Sequence, residues 1–294
     1  MDGHDLYAHL GGALGEAAQH TFAVALLVVI LALVVIFLAL GEHGVDQRAS
    51  LWAANIAFNP DGFAAGNLGV GQSCQRCSTM KPEIIGSIRS SYTRVVCMVC
   101  EEKGIDYVLS ETPIGAPALL AIHPFGKMPV LRHGDFELCE SKAIATYLDR
   151  VFPVPQLIPP DPRLAALTEQ WVSLVNSVVD GTMIRTYLFA YIFPKAPGGK
   201  PDQATIDAVM PALRRQFEVL DKAVAKTGHL VGDQYTLADI NLMPILFYVR
   251  GLPEARELFD ASANLTGYYA HHSARPSFQR TIPPLAPPTR ATER

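Results

Sequence analysis

Clustered positive charge is what this chain most plainly lacks: its 294 residues carry 24 Lys and Arg against 28 Asp and Glu, with no basic stripe. Binding to nucleic acid needs such a cluster to neutralise phosphates, so that class of partner is excluded. Residues 1–20 hold no Lys or Arg, which argues against a cleavable secretory leader, since such leaders begin basic. Cysteine is scarce too. The five present (Cys74, Cys77, Cys97, Cys100, Cys139) are an odd number without disulfide-framework spacing, which points to a reducing compartment.

What is present divides in two. Thr21 to Leu40 is an uncharged run of 20 residues, long enough at about 1.5 Å each to cross a roughly 30 Å hydrocarbon core. The nearest basic residue is Arg48, on its C-terminal side, so the positive-inside rule puts the rest of the chain in the cytoplasm. Residues 41–79 are rich in Gly, Ala, Asn and Ser and keep no period, as a loose linker would. Two readings of residues 1–79 stay open: an apolar N-terminal extension that anchors the body in a membrane through 21–40, or a start-site artefact with Met80 as the true first residue.

Order is expected after Met80. "EIIGS" reads as a short buried strand, "SYTRVVCMVCEEKG" as a helix with Val95, Met98 and Val99 on one face and Gly104 as its stop, and "DYVLSE" as a second strand. A short helix around Ala116 to His123 follows. Two alternating runs then flank a turn at His133, Gly134 and Asp135, with Pro129 opening the first. Ser141 to Val151 completes a β-α-β-α-β-β-α order as a helix, with Ser141 as its N-cap.

"FPVPQLIPPDP", with five prolines, cannot be helical, so residues 152–162 read as a linker between domains. Beyond it the patterns are helical: 163 to 191, 202 to 226 with a kink at Pro211, 236 to 249, and 261 to 273. "TLAD", Thr236 to Asp239, is a capping box with Asp in place of Glu. Residues 163–280 are therefore expected as an all-α domain and 281–294 as a disordered, proline-rich tail.

Four stretches, "HPFGKMPVL", "ELCESKAIATYL", "LVGDQYTLADINL" and "RPSFQR", resemble motifs of the cytosolic glutathione transferases, at that family's spacings, over about residues 83–280. The resemblance implies a thioredoxin-like α/β domain at 80–151 followed by the all-α domain, usually as a homodimer, with glutathione as co-substrate. It assigns Glu140 to the ammonium of the γ-glutamyl end, and Ser141 with the helix N-terminus to its carboxylate. An ordinary helix cap is the other reading of that pair. The family's proline, here Pro129, is cis, and the main chain of the residue before it, here Met128, bonds the cysteinyl part. Lys127 either pairs with the glycyl carboxylate or is solvated. His123 stands where the family commonly has asparagine, and its role stays open.

Serine-type members of the theta and phi classes carry a serine four residues before an arginine in the first helix, and Ser90 stands four before Arg94. The chain is thus similar to a serine-type, bacterial-style member whose Ser90 hydroxyl donates to the glutathione sulfur. Lowering a thiol pKa by about two units from about 8.5 takes about 2.7 kcal/mol. A charge-assisted hydrogen bond supplies about 1.5–3 kcal/mol and a helix N-terminus about 0.3–1, so no metal is required. Ser91 is the alternative donor. Ser90 is expected to end the loop with its hydroxyl outward while Ser91 caps the helix; both as plain caps, or Tyr92 as a tyrosine-type donor, are further readings.

Cys74, Cys77, Cys97 and Cys100 have a zinc-compatible C-x2-C-x19-C-x2-C spacing, but the last two lie inside the first helix and read as buried thiols. No cysteine stands at the mouth of that helix, which argues against omega-type and glutaredoxin-like relatives. The expected activity is ionisation of glutathione and its addition to an electrophilic, mostly apolar small molecule, a detoxification reaction in the cytoplasm. Trp171, Tyr187, Tyr191 and Phe193 are either walls of the electrophile pocket or core aromatics. Alternatives on the same fold are a glutathione-dependent isomerase or dehalogenase, and a noncatalytic or membrane-associated glutathione-binding protein.

Overall fold

The computed structural model describes residues 80–193 and 199–284. The apolar run Thr21–Leu40, the rest of 1–79 with Cys74 and Cys77, and the tail beyond 284 lie outside them. Among the described residues no helix is long and apolar enough to cross a membrane.

The first domain is a four-stranded sheet in the order β2-β1-β3-β4, built from β1 (Glu83–Gly86), β2 (Val108–Glu111), β3 (Val130–His133) and β4 (Phe136–Cys139). β2 runs parallel to β1, which forces a crossover through α1 (Ser91–Lys103); β3 and β4 are antiparallel and need only a tight turn. That turn is Gly134–Asp135, two residues rather than three, because His133 still pairs with Phe136. α2 (Pro117–Leu120) and α3 (Ser141–Val151) complete the expected order.

α1 is buried on nearly every side. Val95, Val96, Cys97, Met98, Val99 and Cys100 are all inaccessible, since the helix packs against α3 as well as against helices of the second domain. It stops at Gly104, whose φ of 63° lets the cap N–H reach back to the Cys100 and Glu101 carbonyls at no steric cost. Gly86 is required for another reason: a Cβ there would stand 2.7 Å from Thr93 Oγ1, so only glycine lets β1 pass under the first turn of α1.

The second domain is helical: α4 (Pro162–Leu174), α5 (Phe189–Ile192), α6 (Gln203–Val224), α7 (Leu237–Val249), α8 (Pro253–Asp260), α9 (Ala263–Ser273) and α10 (Pro276–Arg280). Between α4 and α5 the helix continues but widens into π turns over Val175–Val179 and Gly181–Leu188. α7 is apolar all round and is the buried centre; Asp239 Oδ2 accepts the Thr236 N–H at 2.9 Å, as a capping box requires. α8 was not expected, because eight residues behind a proline offer too short a period to separate from a loop.

Several tertiary ties join the domains. The linker is held by Asp149, which accepts the N–H groups of Leu157 and Ile158 and pairs with buried Lys103 at 2.7 Å. Arg94 is wholly buried. Its guanidinium lies between the rings of Phe247 and Phe278, 4.5 and 4.2 Å from their centroids, and donates to the Phe278 carbonyl. Burial lowers its pKa to about 10. The same guanidinium reaches Thr281 Oγ1, itself buried, so the chain expected as a loose tail from 281 is packed at its first residue.

Candidate active site

Where the two domains meet they leave a cleft of about 1340 Å³. Ser90, Ser91, Lys127, Met128, Pro129, Glu140 and Ser141 all line it, so residues spread over more than fifty positions share one wall. The Met128–Pro129 peptide is cis. The opposite wall is apolar, from Ile184, Leu188, Phe189, Phe193 and Phe247.

The loop between β1 and α1 is held from three sides. Ser90 N–H donates to the Ser87 carbonyl at 2.9 Å, Ile88 N–H to Glu111 Oε1 at 2.9 Å, and the Tyr248 hydroxyl to the Arg89 carbonyl at 2.6 Å. Ser90 is therefore presented by a loop fixed to both domains. Capping falls to Ser90 rather than Ser91: Ser90 is extended at φ −75°, ψ 126°, and its Oγ accepts the Thr93 N–H at 3.4 Å, while Ser91 is already the first helical residue. Accepting uses an oxygen lone pair only. A hydroxyl has a proton left to donate, so the cap leaves Ser90 able to hold a thiolate.

Tyr92 also lines the cleft, but its hydroxyl donates to the Asn176 carbonyl at 3.3 Å. Burial and the nearby Asp180 carboxylate raise its pKa. Arg94, four residues after Ser90, points away from the cleft into the Phe247–Phe278 sandwich; its part in the motif is to lock α1 in place.

At the other end of the cleft, Glu140 occupies the cap position of α3 at φ 72°, ψ 113°, the one non-glycine residue with positive φ among those described. This corrects the expected Ser141 cap: Ser141 is buried and is the first helical residue, and no side chain caps the helix. The N–H groups of the first turn are thus left open beside the cleft, where they favour an anion. Holding Glu140 in a sparsely populated conformation costs on the order of 1–3 kcal/mol, which the surrounding contacts must offset.

His123 is one such contact and was the residue whose role the sequence left open. Its Nδ1 accepts the Phe125 N–H at 3.1 Å, which leaves the proton on Nε2, 3.2 Å from Glu140 Oε1. A buried imidazole therefore orients an exposed carboxylate.

Of the four aromatics proposed for the electrophile wall, Phe193 lies on the cleft and the other three do not. Tyr187 is fully buried, and both Tyr187 and Tyr191 donate to Glu254 Oε2, at 2.7 and 2.6 Å; Trp171 packs against the core. Phe189 and Phe247 line the cleft beside Phe193. Phe189 sits where the π turns shift the facing side of the helix, and Phe247 in a helix with no apolar stripe to mark its exposed edge. Periodicity could find neither.

Cys97 and Cys100 do not line the cleft: both are inaccessible, and burial pushes the Cys97 thiol up to about 12.

The glutathione S-transferase N-terminal domain model matches residues 85–156 and the corresponding C-terminal domain model residues 182–276. Glutathione S-transferase 3 of Zea mays is 32% identical over 204 residues, covering 66% of this chain and 90% of that protein. The glutathione S-transferase of Methylobacillus flagellatus, solved with glutathione bound, superposes with a TM-score of 0.60 at 29% identity, over 69% of this chain and 100% of that one. The theta-class glutathione S-transferase of Xanthomonas axonopodis pv. citri, also with glutathione bound, gives 0.58 at 25% identity, over 69% and 98%. With both domains matched in order on a thioredoxin-like sheet and a helical partner, the chain belongs to the glutathione S-transferase family.

Proposed function

We propose that this glutathione S-transferase uses the Ser90 hydroxyl to hold glutathione as its thiolate and adds it to an apolar electrophile bound against Phe189, Phe193 and Phe247. The carrying observation is the shared cleft: a serine at a helix mouth, a cis proline, a strained carboxylate and an uncapped helix N-terminus on one wall, aromatic and aliphatic side chains on the other. The γ-glutamyl ammonium goes to Glu140, its carboxylate to Ser141 and the open N–H groups of α3, the cysteinyl amide to the main chain of Met128, and the glycyl carboxylate to Lys127. The sulfur then lies over the start of α1. There one charged hydrogen bond of about 1.5–3 kcal/mol and the helix N-terminus, about 0.3–1, suffice to ionise it.

The reaction needs no further proton acceptor on the protein. The thiol proton leaves to solvent through the open cleft; attack of the thiolate then expels a leaving group from the electrophile or adds sulfur to one carbon of its double bond while solvent returns a proton to the other. Trapping bound glutathione with a chlorodinitrobenzene tests the reading: turnover by the wild type and its loss in Ser90→Ala are expected, and an unaltered rate in that variant would overturn the role of Ser90. Residence in the cytoplasm, detoxification as the purpose, and a homodimer are part of the same proposal. The last is supported by the exposed apolar side chains of Phe125, Leu174 and Val178.

A further inference from the structure

A second constellation lies in the helical domain, and none of its residues lines the glutathione cleft. A ring nitrogen of His229, a ring nitrogen of His272 and a carboxylate oxygen of Asp239 all lie within 4.8 Å of one another. His272 is wholly inaccessible, and its Nε2 is 2.9 Å from the Gly228 carbonyl, to which it can only donate. The Nδ1 lone pair is thereby left over. It has no partner among the described residues, and the same holds for His229 Nδ1 and the Tyr235 hydroxyl beside it. Three unsatisfied buried polar atoms in one place are unusual in a folded core, where such groups are almost always paired or hold an unseen water or ion.

We propose that this is a structural metal site for a divalent, imidazole-preferring transition ion such as Zn(II), with His229 Nδ1, His272 Nδ1 and Asp239 as its ligands. The fixed tautomer of His272 is what a metal-bound imidazole requires: one nitrogen donates to a backbone carbonyl and the other turns a free lone pair to the ion. Two imidazoles and one carboxylate are a donor set that zinc accepts with a water in the fourth position. Asp239 already accepts the N–H groups of Leu230 and Thr236, the Thr236 hydroxyl and the Tyr268 hydroxyl. Of these, the Tyr268 hydroxyl alone can rotate away without breaking the capping box, so Oδ1 is the oxygen that turns to the ion. A cavity of about 450 Å³ lined by Gly228, His229 and Tyr268 reaches one of the three ligands, His229, from outside. The bound ion would tie the loop before α7 to α9, adding to the fold without touching the chemistry.

The full chain, stripped with a chelator, is titrated with Zn(II) by calorimetry and with Co(II) by its ligand-field absorption. One ion per chain with nitrogen and oxygen ligands and a raised thermal midpoint are expected. His272→Gln and His229→Gln should each weaken binding by at least the roughly 10–100-fold that loss of even an outer partner causes. His229 is half-buried at the cavity, so its variant serves if the His272 variant fails to fold. Absence of a Co(II) spectrum in the wild type, or binding that survives both substitutions, would overturn the site.

Discussion

The buried His123 imidazole stands 3.2 Å from the Glu140 carboxylate, its Nε2 proton fixed there because Nδ1 accepts the Phe125 N–H. Glu140→Ala is expected to weaken glutathione binding by about 1.5–3 kcal/mol, the range for a hydrogen bond to charge, and His123→Phe by about 0.5–1.5, since it only releases the carboxylate. Calorimetry measures both. Dissociation constants unchanged in both variants would reduce the pair to a way of starting α3.

Ser90→Ala should raise the pKa of bound glutathione by about 1–2 units, equal to about 1.4–2.7 kcal/mol of lost thiolate stabilisation. Because Ser90 also caps α1, with a long bond of 3.4 Å, the same substitution should lower stability by about 0.5–1 kcal/mol. Ser91→Ala should change neither quantity much. Ultraviolet titration of the thiolate and urea unfolding read the two effects separately, and a large pKa shift in Ser91→Ala would transfer the donor to its neighbour.

Glu254 is the charged partner of the two tyrosines that left the wall. Burial pushes its carboxyl up, but the Tyr191 and Tyr187 hydroxyls donate to it and hold it below the usual carboxylate range. With the folded pKa below the unfolded one, its contribution to stability is complete above about pH 4.3 and is lost as pH falls through the folded value. Tyr187→Phe should cost about 1–3 kcal/mol, because it also strands the buried Ala255 N–H, and should flatten that acid limb while leaving turnover intact. A fall in kcat without a loss of stability would return Tyr187 to the reaction.

Arg94→Ala is expected to destabilise by about 2–5 kcal/mol, the range for truncating a large buried side chain. Arg94→Met keeps the volume between Phe247 and Phe278 and removes a guanidinium whose Nη1 has no partner among the described residues, so it should cost less. Equal losses in urea unfolding would mean that the bond to the Phe278 carbonyl, and not the packing, fastens α1.

Residues 80–294 should fold and bind glutathione without the segment before them, since the four family motifs and every described residue of the cleft lie within that range. Expression of this fragment beside the full chain decides it; a fragment that unfolds or loses glutathione would contradict the expectation.

Local chemistry alone determined much of this protein. Helices α1 and α3 stand on the residues expected of them, because a stop glycine, an apolar period and a flanking proline act within a few residues of the backbone they control. The capping box at Thr236 is equally local, whereas the cis peptide at Pro129 was expected from the resemblance to the family, carried by four short motifs. What only the tertiary structure decided concerns partners distant in sequence. His123 meets Glu140 across 17 positions and Arg94 meets Phe278 across 184, and neither pairing leaves a mark in composition or period. The aromatics divided the same way: Phe189, Phe193 and Phe247 face the cleft while Tyr187 and Tyr191 turn to Glu254, because π turns rotate one helix and α7 is apolar on all sides. Side-chain identity states what a residue can bond to; which bond it makes is set by the packing that brings the second residue within 3 Å or so of the first.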